Sequence, residues 1–384
     1  MNLLSAGSGG AVNYARNLAP VLAEKIRSSG GGKLTILAYP GLVPAGNTFD
    51  PTSFQVMEYP HLNGLRRVVW EQFHIKRIVA KTQPDVLFTP YQIAPAVHGV
   101  RTVLMLRNME PFRFRDYKSP PLKNLRNLLL RELSRAAIIQ ATHVIAVAQH
   151  VEEFLIRDIR VPANNVSMIY HGRDKRFSSD FRTHDAELLR AAQLPPSNFI
   201  LTCGSLLPYR RCEDIVRAFV ERTSKEFPTL SLVVAGAPLD VDYAALTCSF
   251  PQNLKHRICF LGHVNADLLA ALYRRSATFV SASEVEACPN IAIEAMASGC
   301  RIVSANTVPL MELFGDSALY YQSRNWQELA NRITESLSAD GAAANRVSLA
   351  LRRSERFSWE TCAQQTFDLL HRVANTLPAN HKNK

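Results

Sequence analysis

The sequence predicts an α/β protein built from doubly wound parallel sheets, and two observations support this prediction. Short apolar segments rich in β-branched residues alternate along the 384 residues with longer segments of helical periodicity, which is the order of βα units. The strand segments are apolar at nearly every position, as expected of parallel strands that are buried on both faces. The chain is long enough for two such domains, each with its own hydrophobic core.

The composition argues against several classes of protein. With 47% hydrophobic and 20% charged residues, the chain has the balance of an ordinary globular protein. No apolar run approaches the roughly 20 residues of a membrane span and no signal segment opens the chain, so a cytoplasmic location is expected. All seven cysteines lie between Cys203 and Cys362 without a C-x-x-C pair, which argues against a zinc site and against a disulfide framework.

The net charge of +11 is concentrated in the first half of the chain. Residues 1–190 contain 25 Lys and Arg against 15 Asp and Glu, which gives +10, and the remainder contains 19 against 18, which gives +1. This asymmetry indicates an anionic partner for the first half, either a membrane surface or a nucleic acid. No recognised nucleic-acid-binding motif accompanies the charge, so a membrane surface is favoured.

The first half begins with a short apolar segment, Met1–Ser5, followed by a glycine-containing loop and a helix. The segment is shorter than a full strand, which indicates either a truncated strand or a chain that starts further upstream. Gly9 and Gly10 allow a substrate or phosphate to approach the backbone closely, and an ordinary turn is the alternative. The later elements of this half are predicted at Leu34–Tyr39, Leu65–Thr82, Val86–Thr89, Val103–Leu106, His143–Val147 and Val166–Ile169.

A helix with a basic face is predicted over residues 122–141. The apolar positions that recur at steps of three and four are Leu122, Leu125, Leu129, Leu133 and Ala136. The basic positions, which lie largely off this stripe, are Lys123, Arg126, Arg131 and Arg135. Two interpretations remain open: a core helix with a solvated basic face, or a surface that rests on anionic lipid headgroups. Phe112 and Phe114, interleaved with Arg113 and Arg115, favour the second interpretation.

The most informative stretch of the second half runs from Ala277 to Ala305. Ala277–Ala282 and Arg301–Ala305 are apolar strand segments, and the residues between them form a loop and then a helix. Proline at position 289 suits the first turn of that helix, and glycine at position 299 suits its end. In a parallel sheet the loop after the first strand lies at the carboxyl edge, where such sheets bind ligands.

Carboxylates and backbone N–H groups come together in this loop and helix. Glu284 and Glu286 lie in the loop, and Glu294 lies in the helix. The backbone N–H groups of Asn290 and Ile291 belong to the first helical turn, where they can point at an anion. A phosphate group and a carboxylate are therefore expected to meet here.

The sequence EACPNIAIE, with glutamates at 286 and 294, followed by AMASGCRIVSA, resembles the donor-site signature of the retaining glycosyltransferases of family 4. The resemblance implies the GT-B fold, in which two Rossmann-like, doubly wound parallel-sheet domains face each other across a cleft. It implies that the C-terminal domain binds a nucleotide-diphosphate sugar and that the N-terminal domain binds the acceptor. Glu286 would then face the transferred sugar and Glu294 the ribose, with Pro289, Asn290 and Ile291 lining the donor site.

A second match to the family lies in GSLLPYRRCEDIVRAF. This segment resembles the G-R-L-x3-K phosphate loop, with Gly204 at the glycine, Ser205 at the arginine and Arg210 at the lysine. Arg210 is expected to bind the diphosphate and to stabilise charge on the leaving phosphate, so that Arg210 and Glu286 are the two catalytic candidates. A solvated charge at a helix start is the alternative for Arg210. The second cation is either Arg211 or absent.

Two further segments take their roles from the same resemblance. Gly262-His263 matches a turn that borders the nucleobase, so His263 either contacts the base or is simply exposed. In the family, the pair Gly9-Gly10 opens the first helix and faces the cleft.

Two positions depart from the family pattern. Many relatives carry a histidine after the strand equivalent to Val103–Leu106, and here Arg107-Asn108 occupies that region, so these two residues are the acceptor-side candidates. His171 replaces the usual asparagine before a glycine and is assigned to a turn.

No metal site and no cofactor besides the donor substrate are expected. Asp240-Val241-Asp242 has the D-x-D pattern of metal-dependent sugar transferases. We discount it because it follows a turn where it is suited to capping a helix, and because GT-B enzymes do not need that metal.

The predicted organisation has five parts. They are an acceptor-binding domain at 1–172, a linker at 173–196, a nucleotide-sugar domain at 197–357, a helix at 358–377 that crosses back to the first domain, and a disordered tail at 378–384.

The expected function is retaining, metal-independent sugar transfer from a nucleotide-diphosphate sugar to a glycan or lipid-linked acceptor, in cell-surface polysaccharide or lipopolysaccharide biosynthesis. The basic first half predicts peripheral binding to the inner face of the cell membrane and no binding to nucleic acid. The alternatives are an epimerase or a non-catalytic relative of the same fold, and a basic protein that binds nucleic acid or membranes.

Overall fold

The structure is a computed structural model that describes residues 1–7, 9–30, 32–43, 54–62, 64–95, 97–180, 182–195, 198–239, 250–338 and 341–376. The chain divides into two compact units. The first contains Met1–Phe112, Leu125–Gly172 and the chain from Ser358, and the second contains Arg113–Asn124 and Arg173–Phe357.

Within each unit, the strand pairs of the described residues are parallel. In chain order the strands are β1 (Leu34–Ala38), β2 (Phe54–Glu58), β3 (Val86–Thr89), β4 (Arg101–Leu106), β5 (His143–Ala146), β6 (Val166–Met168), β7 (Phe199–Cys203), β8 (Ser231–Ala235), β9 (Ile258–Gly262), β10 (Thr278–Ser281), β11 (Ile302–Ala305) and β12 (Leu319–Tyr321).

Helices separate most of these strands. In chain order they are α1 (Gly10–Ser28), α2 (Gly64–Thr82), α3 (Glu110–Arg113), α4 (Pro121–Gln140), α5 (Gln149–Phe154), α6 (Asp185–Ala191), α7 (Cys212–Ala218), α8 (Ser224–Glu226), α9 (Ala266–Arg275), α10 (Asn290–Ala297), α11 (Val308–Phe314), α12 (Trp326–Leu337), α13 (Gly341–Ser354) and α14 (Trp359–Asn375).

The first unit has a doubly wound sheet that its N-terminal residues complete. Strands β3 to β6 are neighbours in that order, and β1 pairs with β2. The N–H of Asn2 donates to the carbonyl of Phe88 at 2.8 Å, and the N–H of Leu3 donates to the carbonyl of Leu37 at 2.8 Å. Met1–Leu3 therefore lies between β1 and β3, and the chain builds outward from it on both sides. The segment is short, as predicted, yet it connects β1 with β3 through backbone hydrogen bonds.

The second unit has a six-stranded sheet in the order β12-β11-β10-β7-β8-β9. The chain starts in the middle at β7, adds β8 and β9 on one side, and then adds β10 to β12 on the other. This is the doubly wound order of nucleotide-binding α/β domains. All residues of β7 and β10 are buried, as expected of central strands covered on both faces. The predicted fold class is confirmed.

Helix α14 belongs to the first unit, where it packs on α1. The ring of Tyr14 meets that of Trp359 edge-on with centroids 5.6 Å apart, and Lys25 Nζ donates to the Gln364 side chain at 2.7 Å. Amphipathic periodicity explains this docking, because Leu369 and Val373 are buried on the same side as Trp359.

The segment predicted as a linker, residues 173–196, groups with the second unit. Helix α6 lies within them, and Arg274 donates to both carboxylate oxygens of Asp185, at 2.7 and 2.6 Å. The two side chains are only 5% and 2% exposed. A buried bidentate pair of this kind holds the segment firmly to the unit.

The segment Arg113–Asn124 also departs from the predicted domain boundaries, because it groups with the second unit. Tyr117 packs against Tyr209 with ring centroids 5.2 Å apart, and Arg324 donates to the carbonyl of Asp116 at 2.7 Å. These contacts join residues more than 90 positions apart in sequence, which local patterns do not reveal.

Helix α4 presents its apolar stripe to solvent, so the first interpretation of this helix is wrong. Leu122, Leu125 and Leu129 are 83%, 63% and 44% exposed, whereas Asn127 and Ser134 are fully buried. The buried face of α4 consists of Asn127, Ser134 and Ile138, and three of its leucines are exposed.

Two predictions lie outside the described residues. These are the D-x-D pattern at 240–242 and the disordered tail at 378–384.

Candidate active site

The predicted donor residues gather at one edge of the six-stranded sheet. Strands β7 and β10 are neighbours, and the chain leaves them toward opposite sides of the sheet. Such a switch point opens a crevice at the carboxyl ends of the two strands. The loop after β7 begins at Gly204, and the loop after β10 begins at Ala282, so both predicted motifs lie at this crevice.

Gly204 is required by the packing of Arg210. Its φ is +106°, a value that residues with a side chain rarely adopt. A Cβ at this position would overlap Nη1 of Arg210, and the Ile291 side chain lies 3.7 Å from the same point. The glycine therefore lets the guanidinium lie directly against the backbone, beside the first turn of α10.

Arg210 and Glu286 form an ion pair, with Nη2 and Oε1 3.0 Å apart. The two side chains are 20% and 10% exposed, so water screens the pair only partly. Burial lowers the pKa of Arg210, but the neighbouring Glu286 carboxylate outweighs burial and raises it. Nε of Arg210 is buried and donates to no atom of the described chain. A cation with an unused donor is thus held at the switch point.

Glu286 is oriented by a second contact. Ser283 donates its hydroxyl proton to Oε1 at 3.0 Å, within the same loop. A guanidinium and a hydroxyl therefore both contact Oε1 of this carboxylate. Such double fixing is typical of groups that must be positioned for a ligand.

Glu294 lies in the second turn of α10 and is 8% exposed. The hydroxyl of Tyr273 is 3.3 Å from its Oε2 and 3.2 Å from the carbonyl of Ile291, so its single proton goes to one of these oxygens. Cys203 Sγ lies 2.8 Å from the same hydroxyl. Burial raises the pKa of Glu294 to about 7, which makes its charge sensitive to pH near neutrality.

Two charged residues near Glu294 were missed by sequence analysis. Asp174 and Arg176 both act electrostatically on Glu294, the first raising its pKa and the second lowering it. They pair with each other at 2.6 Å, and Arg176 is 47% exposed. They lie in the segment predicted as a linker, where nothing in the local pattern pointed to the site.

Arg211, the candidate second cation, is held by carboxylates of its own loop and helix. It donates to both oxygens of Asp214 at 2.9 Å and lies 3.0 Å from Glu213. Its φ of +51° is a left-handed conformation that turns the chain into α7. The structure therefore brings Arg210, and not Arg211, to Glu286.

Glu284 faces away from this pair toward Arg324. Its carboxylate accepts from Nε and Nη2 of Arg324 at 2.6 and 2.9 Å and from the Ser323 hydroxyl at 2.7 Å. Burial raises the pKa of Glu284, but Arg324 and Ser323 outweigh burial and lower it.

The remaining donor candidates lie at the same edge of the sheet. Ser205 follows Gly204, and Pro289 precedes α10, whose first turn contains Asn290 and Ile291. His263 is exposed directly after β9. Because β9 lies two strands from β7, this histidine is about 10 Å from the phosphate loop along the sheet.

The remaining predicted site residues belong to the first unit. Gly9, with φ +56°, turns the chain into α1, which begins at Gly10. Arg107 lies over the ring of Tyr14, 5.2 Å from its centroid. The side chain of Asn108 accepts the N–H of Glu110 at 2.9 Å, a local turn contact directly before α3.

His171, which the sequence analysis assigned to a turn, is buried in the first unit. It is 4% exposed, and its ring lies 5.1 Å from that of Tyr14. Packing of α1 and α14 around it explains the burial.

No group of three or more His, Cys, Asp or Glu side chains suited to a metal ion occurs among the residues that the structure describes. Likewise, none of the described helices is both long enough and apolar enough to span a membrane.

Comparison with known proteins identifies relatives for both halves of the chain. Residues 8–177 match the model of Glycosyltransferase Family 4, and residues 186–352 match the model of Glycosyl transferases group 1. The D-inositol 3-phosphate glycosyltransferase of Rhodococcus opacus is 23% identical over 278 residues, which are 70% of this chain and 60% of that protein. The O-antigen chain mannosyltransferase RfbU of Salmonella typhimurium is 19% identical over 301 residues, covering 75% of this chain and 78% of that one.

The chain spans about 60% of the length of several of its curated relatives. Among solved structures, HepE of Anabaena in complex with UDP-glucose has a TM-score of 0.70 at 18% identity, covering 96% of this chain and 97% of that one. At this identity the likeness concerns the fold alone. Since family models match both halves of the chain and both units have the doubly wound sheet, the chain belongs to glycosyltransferase family 4, the group 1 glycosyl transferases, and its fold is GT-B.

Proposed function

We propose that the chain is a glycosyltransferase that moves a sugar from a nucleotide-diphosphate sugar to an acceptor hydroxyl with retention of anomeric configuration. The observation that carries this proposal is the Arg210–Glu286 pair at the switch point of the second unit. A buried cation with an unused donor suits a diphosphate, and an oriented carboxylate beside it suits the hydroxyls of the transferred sugar.

Donor binding is proposed to rearrange this pair. A diphosphate brings more negative charge to Arg210 than one carboxylate does, so the guanidinium turns toward the phosphate oxygens. Glu286 keeps the Ser283 contact and becomes available to accept hydrogen bonds from the sugar. Its charge then lies near the anomeric carbon, where positive charge develops in the transition state. Glu294 accepts from the two ribose hydroxyls.

The proposed chemical step is attack from the face that the leaving group occupies. The bond between the anomeric carbon and the phosphate oxygen breaks, and a bond forms between that carbon and the acceptor oxygen. The acceptor proton passes to the leaving phosphate oxygen, whose charge Arg210 stabilises. In this step Glu286, oriented by Ser283, accepts hydrogen bonds from the sugar and does not attack the anomeric carbon.

We propose that no metal and no cofactor besides the donor take part. Arg210 and the first turn of α10 supply the positive charge that a metal provides elsewhere. Transfer is therefore expected to proceed in excess EDTA at its full rate. Loss of activity in EDTA with recovery on adding magnesium or manganese would contradict this and would return attention to Asp240 and Asp242.

The proposed acceptor is a glycan or lipid-linked saccharide of cell-surface polysaccharide or lipopolysaccharide biosynthesis. The relative RfbU, an O-antigen chain mannosyltransferase, supports this class of acceptor. Exposure of Leu122, Leu125 and Leu129 on α4 supports a peripheral position on a membrane, because three solvent-exposed leucines on one helical face can enter the headgroup region.

The membrane position is tested by co-sedimentation with vesicles of anionic and of neutral lipid. Replacing the three leucines of α4 by Ser is expected to abolish pelleting with anionic vesicles. The matched control replaces two other exposed apolar residues, Val308 and Met311, by Ser and should pellet as wild type. Equal pelleting of both variants would remove α4 from the membrane surface.

The transfer reaction is tested with a panel of UDP-, GDP- and ADP-sugars and membrane extracts as the acceptor source. Nucleoside diphosphate release should depend on the acceptor, and NMR of the product should show the anomeric configuration of the donor. Interconversion of the sugar on the nucleotide without transfer would indicate an epimerase instead. A protein that neither binds nor turns over any donor would overturn the proposal.

A further inference from the structure

A surface cavity of about 470 Å³ lies in the second unit, outside the Arg210–Glu286 pair. One short segment of chain supplies its lining residues, which are Phe114, Arg115, Tyr117, Lys118, Ser119 and Asn124. A cavity of this size is within the range of sites for small molecules.

The walls of the cavity are held in place by buried rings and hydrogen bonds. Phe114 and Tyr117 are only 6% and 8% exposed. At the base of α4, the hydroxyl of Ser119 donates to Oδ1 of Asn124 at 2.8 Å, and Nδ2 of Asn124 donates to the carbonyl of Ser119 at 3.2 Å. The cavity is therefore a formed feature of the second unit.

The side chains at the cavity carry positive charge. Asp116 is the one acidic residue in the segment Arg113–Asn124, and its carboxylate pairs with Arg113 at 2.8 Å. Arg115 and Lys118 are exposed and form no ion pair with any described carboxylate. The ammonium of Lys123 lies 5.7 Å from the centre of the Tyr117 ring and adds a further positive charge.

The cavity adjoins the phosphate loop of the donor site through shared residues. The ring of Tyr117 packs on that of Tyr209, which directly precedes Arg210. The carbonyl of Tyr209 in turn accepts the N–H of Glu284 at 2.8 Å, in the loop that carries Glu286. A ligand group in the cavity would thus lie beside the residues that position the donor.

We propose that this cavity binds a phosphate group carried by the acceptor, so that the acceptor class is a phosphorylated or diphosphate-linked saccharide. This inference rests on the proposed transfer function. Arg115 provides a planar, bidentate partner for phosphate oxygens, and Lys118 provides a point charge. Ser119 and Asn124 add polar groups suited to sugar hydroxyls, and Tyr117 offers an aromatic wall.

The test uses the full chain with Arg115→Gln and Lys118→Gln combined. A matched control combines Lys225→Gln and Lys255→Gln, which remove two exposed cations from the same unit with the same change in net charge. The probe is glucose 6-phosphate, with glucose as the uncharged comparison, titrated at low salt in an Arg210→Gln background that weakens the donor phosphate site.

We expect the control to bind glucose 6-phosphate as its parent does and the cavity variant to bind it about 10-fold or more weakly. Equal affinity in the two variants would overturn the proposal. The proposal would also be overturned if the cavity variant lost only its binding to phosphatidylglycerol vesicles. Arg115 and Lys118 would then contact lipid headgroups and not an acceptor.

Thermal shift with nucleotide sugars separates this inference from the proposed function. Without the Arg210 change, the cavity variant should be stabilised by the donor as wild type is. A wild-type protein that responds to no donor but binds glucose 6-phosphate through Arg115 and Lys118 would overturn the transfer function and leave the phosphate site standing.

Discussion

The two units share a doubly wound strand order but carry different groups at their switch points. In the second unit, the loops after β7 and β10 bring an arginine and a glutamate together at 3.0 Å. In the first, the corresponding position lies between Met1–Leu3 and β3, and its loops carry Gly9 and the amide Gln92. The same topology thus provides two crevices, and the side chains placed there decide which chemistry each supports.

Among the variants that test this difference between the two switch points, Glu286→Gln is expected to change activity most. The amide keeps the size of the side chain but removes the charge that faces the sugar, so transfer should fall by about 100- to 1000-fold. Initial rates measure the loss, and the thermal midpoint shows whether the fold persists. A variant that no longer folds would assign Glu286 to structure, and wild-type turnover would remove it from the mechanism.

The second effect is a pH dependence of stability that comes from Glu294. Its pKa is about 7 in the folded protein against 4.5 for an unperturbed carboxyl, so the folded state holds its proton more tightly. Stability is therefore unaffected below pH 4.5, falls as the pH rises from 4.5 to 7, and is lower by roughly 3 kcal/mol above that window.

Replacing Glu294 by Gln should remove this slope in chemical unfolding at different pH values. Glu286→Gln is the matched control and should retain it. The same Glu294→Gln change should weaken donor binding at pH 8, where the carboxylate is ionised. A stability profile unchanged by Glu294→Gln would show that another group titrates in this range.

Glycine substitutions compare the two switch loops directly. Gly204→Ala introduces a Cβ that overlaps Arg210 at φ +106°, so about 1–3 kcal/mol of strain and a loss of donor affinity are expected. At Gly9, with φ +56°, no atom lies within 4 Å of the added Cβ, and the cost should be only the roughly 1 kcal/mol of the left-handed conformation. Denaturant unfolding and donor titration of both variants measure the difference. If both variants lost the same stability and the same donor affinity, the close approach of Arg210 to the backbone of Gly204 would not matter for either.

The smallest effect is expected for Tyr273→Phe, which removes the hydroxyl beside Glu294. Loss of one hydrogen bond should cost about 1 kcal/mol of stability and weaken donor binding about fivefold, while kcat stays unchanged. Tyr320→Phe is the control, because its hydroxyl donates to the carbonyl of Gly315 outside the site. Tyr320→Phe should lower stability without weakening donor binding. If both variants lost the same donor affinity, the loss would come from general destabilisation and not from the contact with Glu294.

Local patterns were sufficient for the elements and for the two donor motifs. Apolar runs located the central strands, and the segments around Gly204 and Glu286 were recognisable because each is continuous in sequence. Contacts between distant segments were not predictable in this way. The pair of Asp185 with Arg274, which makes the supposed linker part of the second unit, joins residues 89 positions apart.

The fold class, the family and the segments that approach the switch point could all be inferred from the sequence, because they follow from periodicity and short continuous motifs. Only the tertiary structure decided that Arg210 faces Glu286 while Arg211 is held by Asp214, that Tyr273 lies beside Glu294, and that the leucines of α4 face solvent. The physical reason is that pairing and burial depend on which distant surfaces meet, and a one-dimensional pattern specifies only which side of its own helix or strand a residue occupies.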